Sequence, residues 1–364
     1  MAGERDPDGA AHKPSVGLRS PQDIAACHSK FDRMPIPTGT TWYRLGDGHL
    51  GVRADDAEFS NRFDELYREC ATRGAAPEGT PVAYSVRSID SPSRSLVQVD
   101  GGRLDLMEFA LHLFGGRGYR EVAVGTAGWR GLTPSDGSGT LFAFGADEIL
   151  VDRRAPWQRF VANLAVNQVL GQQPDLLCYH AAALGVNGAG MLLTGPKGAG
   201  KTTLALALAA RGHDFLGDEV AAVRVATRVL LPFRRSVSVR PGPTATAVQR
   251  TLAQAHLQTE AFPDGSTRLR GRVGELFPES GVRPVPLRSV VVLRGFGDTT
   301  RLVRFVPGRD QWAIFSPLGC SLWRARPAER VMRVLTLFSQ VRCYFLEVRS
   351  ADEAADVLER LPED

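Results

Sequence analysis

Residues 195–202 have the types and the spacing needed to bind a triphosphate. They read Gly-Pro-Lys-Gly-Ala-Gly-Lys-Thr and fit the pattern G-x-x-x-x-G-K-[ST] at every position. Glycines in such a stretch let the backbone curve around phosphate groups, so that its N–H groups point inward. An apolar run precedes the motif, and a run rich in Ala and Leu follows it. The motif therefore predicts a phosphate-binding loop between a strand and a helix, with ATP and Mg²⁺ as its ligands.

Three side chains of this loop could contact the nucleotide or its metal ion. Lys201 is expected to reach the β- and γ-phosphates, and the Thr202 hydroxyl to ligate Mg²⁺. The N-terminal end of the following helix adds favourable dipoles for an anion. Lys197 is either a further phosphate contact or a solvated side chain, and the residues leave both alternatives open. The predicted nucleotide-binding residues are Gly195, Pro196, Lys197, Gly198, Ala199, Gly200, Lys201, Thr202 and Thr203.

An acidic pair, Asp218-Glu219, follows the loop after one predicted helix, one turn and one short strand. A parallel strand placed in this way brings its carboxyl end to the phosphate side of the sheet, where ligands bind in open α/β sheets. An acid at that edge can hold Mg²⁺ or accept a proton. His180 lies on the strand before the predicted hairpin, and taken alone it fits a core histidine as well as a site residue.

The chain divides into three predicted regions. Residues 1–35 are rich in Gly, Pro, Asp and Ser, which predicts a disordered arm. Residues 36–152 predict an α+β region of unassigned role, and residues 153–364 predict an α/β domain that carries the loop. The predicted strands are 41–45, 82–87, 95–99, 121–124, 141–144, 177–186, 191–194, 214–216, 219–225, 236–239, 288–294 and 344–348. The predicted helices are 57–72, 104–113, 156–170, 202–210, 244–258, 328–340 and 351–361.

Composition narrows the class of protein. The 364 residues include 44 basic and 40 acidic side chains, a mild excess spread along the chain that does not indicate a nucleic-acid surface. The five cysteines form no CxxC pair, so a zinc site or a disulfide framework is not expected. The N-terminus has no apolar core of a signal peptide, and no apolar run is long enough to span a membrane. We therefore expect a cytoplasmic protein.

Residues 178–223 resemble the catalytic domain of the HPr kinase/phosphorylase family, whose members are P-loop kinases related in fold to the ATP-dependent phosphoenolpyruvate carboxykinases. The resemblance implies a P-loop catalytic domain of this α/β type, preceded here by the α+β region. The family's pattern is a histidine, a hairpin turn, the phosphate loop, a helix ending in Arg-Gly-His, and an Asp-Asp pair. The matching residues are His180, Asn187-Gly188-Ala189-Gly190, 195–202, Arg211-Gly212-His213 and Asp218-Glu219.

The resemblance also implies roles for the residues. Asp218 would be the general base, Thr202 and Glu219 would hold Mg²⁺, and His180 would line the phosphate site. Two positions depart from the family. Glu219 replaces the second Asp, and Ser238-Val239-Arg240-Pro241 replaces a Glu-Ile-Arg-Gly signature, which loses a carboxylate and keeps the Arg. Arg240 either stabilises charge on the transferred group or is an ordinary strand residue.

Two hypotheses of function follow. In the first, the chain is an ATP-dependent kinase that acts on a Ser or Thr hydroxyl of a peptide or protein, with a small-molecule hydroxyl as a variant. In the second, it is a non-transferring ATPase or nucleotide-sensing protein, which the altered signature favours. Carboxykinase chemistry ranks below both. The acceptor is not identified by the sequence. A natural-product precursor peptide is one candidate that relatives of this kind suggest, and a homo-oligomer is left open.

Overall fold

The computed structural model describes residues 40–53, 57–74, 83–89, 96–98, 119–124, 129–134, 142–144, 148–152, 166, 169–240, 247–255, 257–261, 267–307 and 327–361. The first sheet lies within residues 41–152, and its described strands have the order β3-β1-β2-β4-β9-β8-β7-β6-β5. These strands are β1 (Thr41–Leu45), β2 (Gly48–Arg53), β3 (Ala71–Thr72), β4 (Ala83–Ile89), β5 (Leu96–Gln98), β6 (Tyr119–Val124), β7 (Trp129–Pro134), β8 (Phe142–Phe144) and β9 (Glu148–Asp152). Helix α1 (Ala57–Tyr67) and a 3₁₀ turn (Arg68–Cys70) connect β2 to β3.

The second sheet carries the phosphate-loop motif. Its main path has the order β10-β14-β15-β19-β12-β11-β13, and β21 joins β19 and β20 beside that path. The strands are β10 (Leu176–Tyr179), β11 (Ala182–Val186), β12 (Ala189–Thr194), β13 (Asp214–Gly217), β14 (Ala221–Arg224), β15 (Val229–Leu231), β19 (Val285–Phe296), β20 (Arg301–Phe305) and β21 (Arg342–Val348). A small sheet has the order β16-β18-β17, from β16 (Val237–Val239), β17 (Gln258–Ala261) and β18 (Thr267–Gly271).

Strand directions bring the carboxyl ends of β12, β13 and β19 to one edge of the second sheet. Strand β12 is parallel to β19, which is parallel to β21. Strand β13 does not pair with β12, because β11 lies between them and is antiparallel to both. Two antiparallel steps give β13 the same direction as β12. The expected placement of the residues after β13 on the phosphate side therefore agrees with the topology.

Helices cover both faces of this sheet. Helix α2 (Lys201–Ala209) and helix α6 (Ala351–Glu359) pack on one face, and α5 (Pro327–Ser339) packs on the other through Val334, Leu337 and Phe338. Two shorter helices belong to the same part of the chain: α3 (Ala247–Gln254) follows β16, and α4 (Val273–Leu276) follows β18. The last six residues of α2, 204–209, are all buried, which explains why this part of its sequence is apolar on every side.

Gly212 ends helix α2, as its position after the Ala/Leu run predicts. Gly212 has φ +86°, a conformation that favours glycine. Its N–H donates to the Ala209 carbonyl at 3.0 Å, and the His213 N–H donates to the Leu208 carbonyl at 3.2 Å. This pair of bonds is a Schellman ending. The adjacent Arg211 then pairs with Asp356 and Glu359, so the Arg-Gly-His segment fastens α2 to α6.

The predicted elements agree with the structure in most described places and were wrong at several boundaries. The predicted helix 57–72 ends at Tyr67, and its last residues form the 3₁₀ turn and β3. The predicted strand 177–186 is interrupted after Tyr179, and the predicted strand 219–225 begins only at Ala221. Gln258, predicted as the last helical residue, begins β17. The arm 1–35, the helix 104–113 and most of the helix 156–170 lie outside the described residues, and the three-region division stays a prediction.

Candidate phosphate-binding site

The segment between β12 and α2 has the backbone of a phosphate-binding loop. Gly198 and Gly200 have φ values of +88° and +93°, which L side chains rarely adopt. Gly195 has φ +145°, and a methyl group placed on it would lie 2.6 Å from the Leu293 carbonyl oxygen. Three glycines of the motif are thus required by backbone shape or by the approach of β19.

The remaining loop residues divide into exposed and buried positions. Pro196 and Lys197 are exposed, so Lys197 is a solvated side chain in this conformation. Ala199 is buried, and Thr203 on the first turn of α2 is half-buried. Lys201 is folded back over the loop: its Nζ donates to the carbonyls of Gly195 at 2.8 Å and Pro196 at 3.2 Å. The loop carbonyls therefore hold this ammonium at the mouth of the loop.

Lys201 has an altered proton affinity in this position. Partial burial lowers its pKa from the ordinary lysine value, while the carboxylates of Asp218 and Glu219 act in the opposite direction. Burial disfavours the charged ammonium, and nearby anions favour it. An anion bound at the loop would add to the second effect and raise the pKa of Lys201.

Thr202 and Asp218 meet at the edge of the sheet. The Thr202 hydroxyl donates a hydrogen bond of 2.7 Å to Oδ2 of Asp218. Only 4% of Asp218 is exposed. Burial raises the pKa of this carboxyl above its ordinary value, and the hydrogen bond from Thr202 opposes that rise. A carboxylate with a raised pKa beside the phosphate loop is suited to accept a proton.

Glu219 has a different environment from its neighbour. Its backbone has φ +68°, which turns the chain sharply after Asp218. Its carboxylate pairs with Arg235 at 3.1 Å. That guanidinium is the main reason why the pKa of Glu219 lies below its ordinary value, with burial acting against it. The pKa values of the two adjacent acids are therefore shifted in opposite directions. Asp218 binds a proton more tightly than a free aspartate side chain, and Glu219 binds one less tightly than a free glutamate side chain.

His180 lies at the same edge, in the turn between β10 and β11. Its Nδ1 is 3.2 Å from the backbone carbonyl oxygen of Glu219, and the side chain is exposed. Its described contact is thus with the backbone of the acidic pair, not with the Asp218 carboxylate. The histidine supports the sharp turn at Glu219 and faces solvent beside it.

Arg240 does not contact the other predicted site residues that the structure describes. It follows β16, is exposed, and makes no hydrogen bond or ion pair with any residue that the structure describes. Nearby Ser238 has a buried hydroxyl with no hydrogen-bond partner among the described residues. The roles predicted for Arg240 and for Glu219 as a metal ligand stay predictions, as do those of the other site residues.

Arg235 is a site residue that the sequence reasoning missed. It belongs to residues 233–236, an extended segment that lies against β13: the Phe233 N–H donates to the Leu216 carbonyl at 2.7 Å. Arg268 and Arg270 of β18 also contribute to lowering the pKa of Glu219. The available signal was the pair Arg234-Arg235 directly after buried apolar residues, where two cations require anionic partners.

The N-terminal region contacts this same segment, and we call the contact between residues 66–70 and residues 233–236 the N-terminal contact. The Ser236 N–H donates to the Leu66 carbonyl at 2.8 Å, and the Cys70 thiol donates to the Arg234 carbonyl at 3.4 Å. The rings of Tyr67 and Phe233 meet edge to face, with centroids 6.2 Å apart. No sequence pattern connects these two distant stretches.

Glu69 is the charged centre of the N-terminal contact. Its carboxylate pairs with Arg234 at 3.1 Å and accepts backbone hydrogen bonds from Val273 at 2.9 Å and Gly274 at 2.7 Å. Burial is the main reason why its pKa is raised and the pKa of Arg234 is lowered. The ion pair offsets only part of the cost of burying these two charges, and removing either side chain would leave the other charge buried without its partner.

Strand, glycine loop, helix and the acid after β13 together define an α/β fold of the phosphate-loop type. No protein-family model matches the chain. A curated HPr kinase/phosphorylase from Chlorobium luteolum is 46% identical over 46 residues, which are 13% of this chain and 14% of that protein. The match therefore spans a small part of either protein. It indicates an HPr kinase-like relationship.

A solved structure is also similar. The Hpr(Ser) kinase/phosphatase of Coxiella burnetii aligns with 50% of this chain and 92% of that chain, at 15% identity and a TM-score of 0.25. A likeness with this TM-score carries no argument about function. Among the described residues, no helix is long and apolar enough to cross a membrane.

Proposed function

We propose that the chain is an ATP-dependent phosphotransferase of HPr kinase type, which transfers the γ-phosphoryl group to a Ser or Thr hydroxyl of a peptide or protein. The observation that carries the proposal is the buried Asp218 carboxylate bonded to the Thr202 hydroxyl at 2.7 Å. This bond holds a carboxylate at the start of the helix that follows the phosphate loop, where a proton acceptor would be needed. The sequence match to an HPr kinase/phosphorylase supports the same class of reaction.

The chain's own residues supply positioning, charge and a base. Lys201 and the loop N–H groups bind the triphosphate and neutralise its charge. Asp218 orients the acceptor hydroxyl and takes its proton. The acceptor oxygen then forms its bond to the γ-phosphorus as the bond from that phosphorus to ADP breaks. General-base assistance of this kind contributes about 10²–10⁴-fold in rate.

The donor groups at this edge fit Mg²⁺, which prefers oxygen ligands from carboxylates and hydroxyls. The Thr202 hydroxyl is the first candidate ligand, and Glu219 or Asp218 supplies the neighbouring carboxylate. When bound, Mg²⁺ would neutralise charge on the β- and γ-phosphates. Glu219 is held by Arg235 in this conformation, so its service as a ligand requires that this ion pair loosen.

A second candidate function has an observation in its favour. Asp218 is 4% exposed, so the carboxylate is almost closed to a bulky acceptor. A water molecule needs far less room than a peptide side chain. An ATPase or nucleotide-sensing protein would use the same loop and the same acid to activate water, without a transfer partner.

Labelled ATP separates these functions. We expect the purified chain, incubated with Mg²⁺, γ-labelled ATP and an extract of the cells that encode it, to transfer label to a peptide or protein. Label on a small molecule would redirect the proposal to a small-molecule hydroxyl. Release of labelled phosphate alone would contradict transfer and support the second candidate.

Asp218→Asn tests the base. The amide keeps an oxygen that accepts the Thr202 hydrogen bond but cannot take the acceptor proton. We expect ATP binding to persist while the transfer rate falls by about 10²–10⁴-fold. Glu279→Gln is the control, since Glu279 is an exposed acid that makes none of the site contacts. An Asp218→Asn protein with full transfer activity would show that Asp218 is not the base.

A further inference from the structure

Phe296 is an aromatic side chain in an unusual position. It is the last residue of β19, and 73% of it is exposed. Its backbone is nevertheless fixed: Phe296 pairs with Val348 in β21, and the Gly297 N–H donates to the Val348 carbonyl at 3.1 Å. A large apolar ring is therefore exposed to solvent at the end of a strand whose backbone is hydrogen-bonded.

A β-bulge turns this ring toward the phosphate loop. The register between β19 and β21 shifts between Leu293 and Gly295, and Gly295 has φ +121°. Leu293 and its partner Leu346 belong to the core on the α2 side of the sheet, as does Val348. Simple alternation from Leu293 would place Phe296 on the opposite side. The extra residue, Arg294, returns Phe296 to the side of α2, and bulges next to functional sites often re-aim a side chain in this way.

The ring reaches the loop itself. A methyl group placed on Gly200 would lie 3.4 Å from Cζ of Phe296, which is van der Waals contact. Strand β19 is the parallel neighbour of β12 on one side, while Asp218 follows β13 on the other side. The acid that would accept the proton and the exposed ring thus flank the loop. If a triphosphate were bound with its γ-group at Asp218, the side of the loop opposite the acid, where β19 and Phe296 lie, would be open to its nucleoside.

We propose that Phe296 is the stacking platform for the purine base of the bound nucleotide. The inference rests on the proposed function, because it requires a nucleoside triphosphate in the loop. A base has a flat π-face that stacks on an aromatic side chain without strict sequence or substituent preference. Such stacking contributes affinity for the nucleoside and none for the phosphates. The contribution of Phe296 can therefore be measured by comparing ligands with and without a nucleoside.

Binding of ATP, ADP and inorganic tripolyphosphate, each with Mg²⁺, tests the platform by calorimetry. We expect Phe296→Ala to weaken ATP and ADP about tenfold while tripolyphosphate binds as it does to the wild-type chain. Phe296→Tyr keeps the ring and should bind all three ligands normally. Val306→Ala, at a position that is 84% exposed, controls for the loss of an exposed apolar group and should change nothing.

Each contrary result has a separate meaning. Unchanged ATP affinity in Phe296→Ala would overturn the platform and leave the proposed function intact. An equal loss for ATP and tripolyphosphate would also overturn it, because the substitution would then have damaged the loop. A wild-type chain that binds none of the three ligands would refute the proposed function and the platform together.

Discussion

The phosphate loop and the N-terminal contact are stabilised by different kinds of interaction. In the loop, Lys201 bonds carbonyls five and six residues away, and Thr202 bonds an acid 16 residues away. In the N-terminal contact, Cys70 bonds a carbonyl 164 residues away and Glu69 bonds an N–H 205 residues away. The side-chain hydrogen bonds of the loop are made within 16 residues of the chain, whereas the N-terminal contact exists only after two distant parts of the chain have folded.

These two regions meet in the segment 233–236. Arg234 and Ser236 bond to the N-terminal region, while Arg235 between them pairs with Glu219 beside the phosphate loop. Extended backbone directs successive side chains to opposite sides. The N-terminal region therefore holds the backbone from which Arg235 reaches the site. The comparison predicts that loop variants change ligand binding and that variants of the N-terminal contact change stability.

Lys201→Ala should have the largest effect on the loop. Its ammonium makes charged hydrogen bonds, so we expect ATP affinity measured by calorimetry to fall about 100-fold with little change in melting temperature. Arg288→Ala is the control, because Arg288 is an exposed cation in the first half of β19, away from the edge of the sheet that carries the loop. Normal ATP affinity in Lys201→Ala would remove the basis for treating the segment as a phosphate loop.

Glu69→Ala should have the largest effect on the N-terminal contact. It leaves Arg234 buried without its partner and two backbone N–H groups of α4 without an acceptor, which should cost about 3 kcal/mol of unfolding free energy. Denaturant melts measure this loss, and ATP affinity should stay close to that of the wild-type chain. Asp47→Asn is the control, since it disrupts the half-exposed pair with Arg224 and should cost at most about 1 kcal/mol.

A melt of Glu69→Ala equal to that of the wild-type chain would show that the N-terminal contact contributes nothing to stability. A large fall in ATP affinity at temperatures where the variant is folded would contradict the separation between the two regions.

Disrupting the ion pair between Glu219 and Arg235 should change the free energy of unfolding least among these variants. Its contribution should also depend most clearly on pH. Glu219 is 39% exposed, so we expect a coupling of about 1 kcal/mol from a double-mutant cycle with Glu219→Gln and Arg235→Gln. Arg235 lowers the pKa of Glu219 in the folded state. The stabilisation is therefore present above the ordinary glutamate pKa and is lost as the pH falls through the lowered value. Melts at neutral and acidic pH should show this loss, and a pH-independent coupling would contradict it.

Much of the fold and part of the site followed from local patterns. Helix α2 was predicted within one residue at each end, because an apolar Ala/Leu run and Gly212 are strong local signals. The end of β19 was missed, since the prediction stopped at residue 294 and a bulge has no periodic signature. Strand β15 and the strands of the small sheet beyond β16 were also not predicted. Strand β15 has only three residues, and β17 and β18 mix polar and apolar residues, so their conformation depends on pairing.

The sequence by itself predicted the phosphate loop, the acid after the next strand and a nucleotide as the ligand, because glycine geometry and charge act over a few residues. The tertiary structure decided three further features. These are the opposite pKa shifts of Asp218 and Glu219, the ion pair between Arg235 and Glu219, and the direction of the Phe296 ring toward the loop. Burial and the approach of charges from distant segments set a pKa, and strand pairing sets the direction of a side chain. These quantities depend on neighbours that only the folded chain brings together.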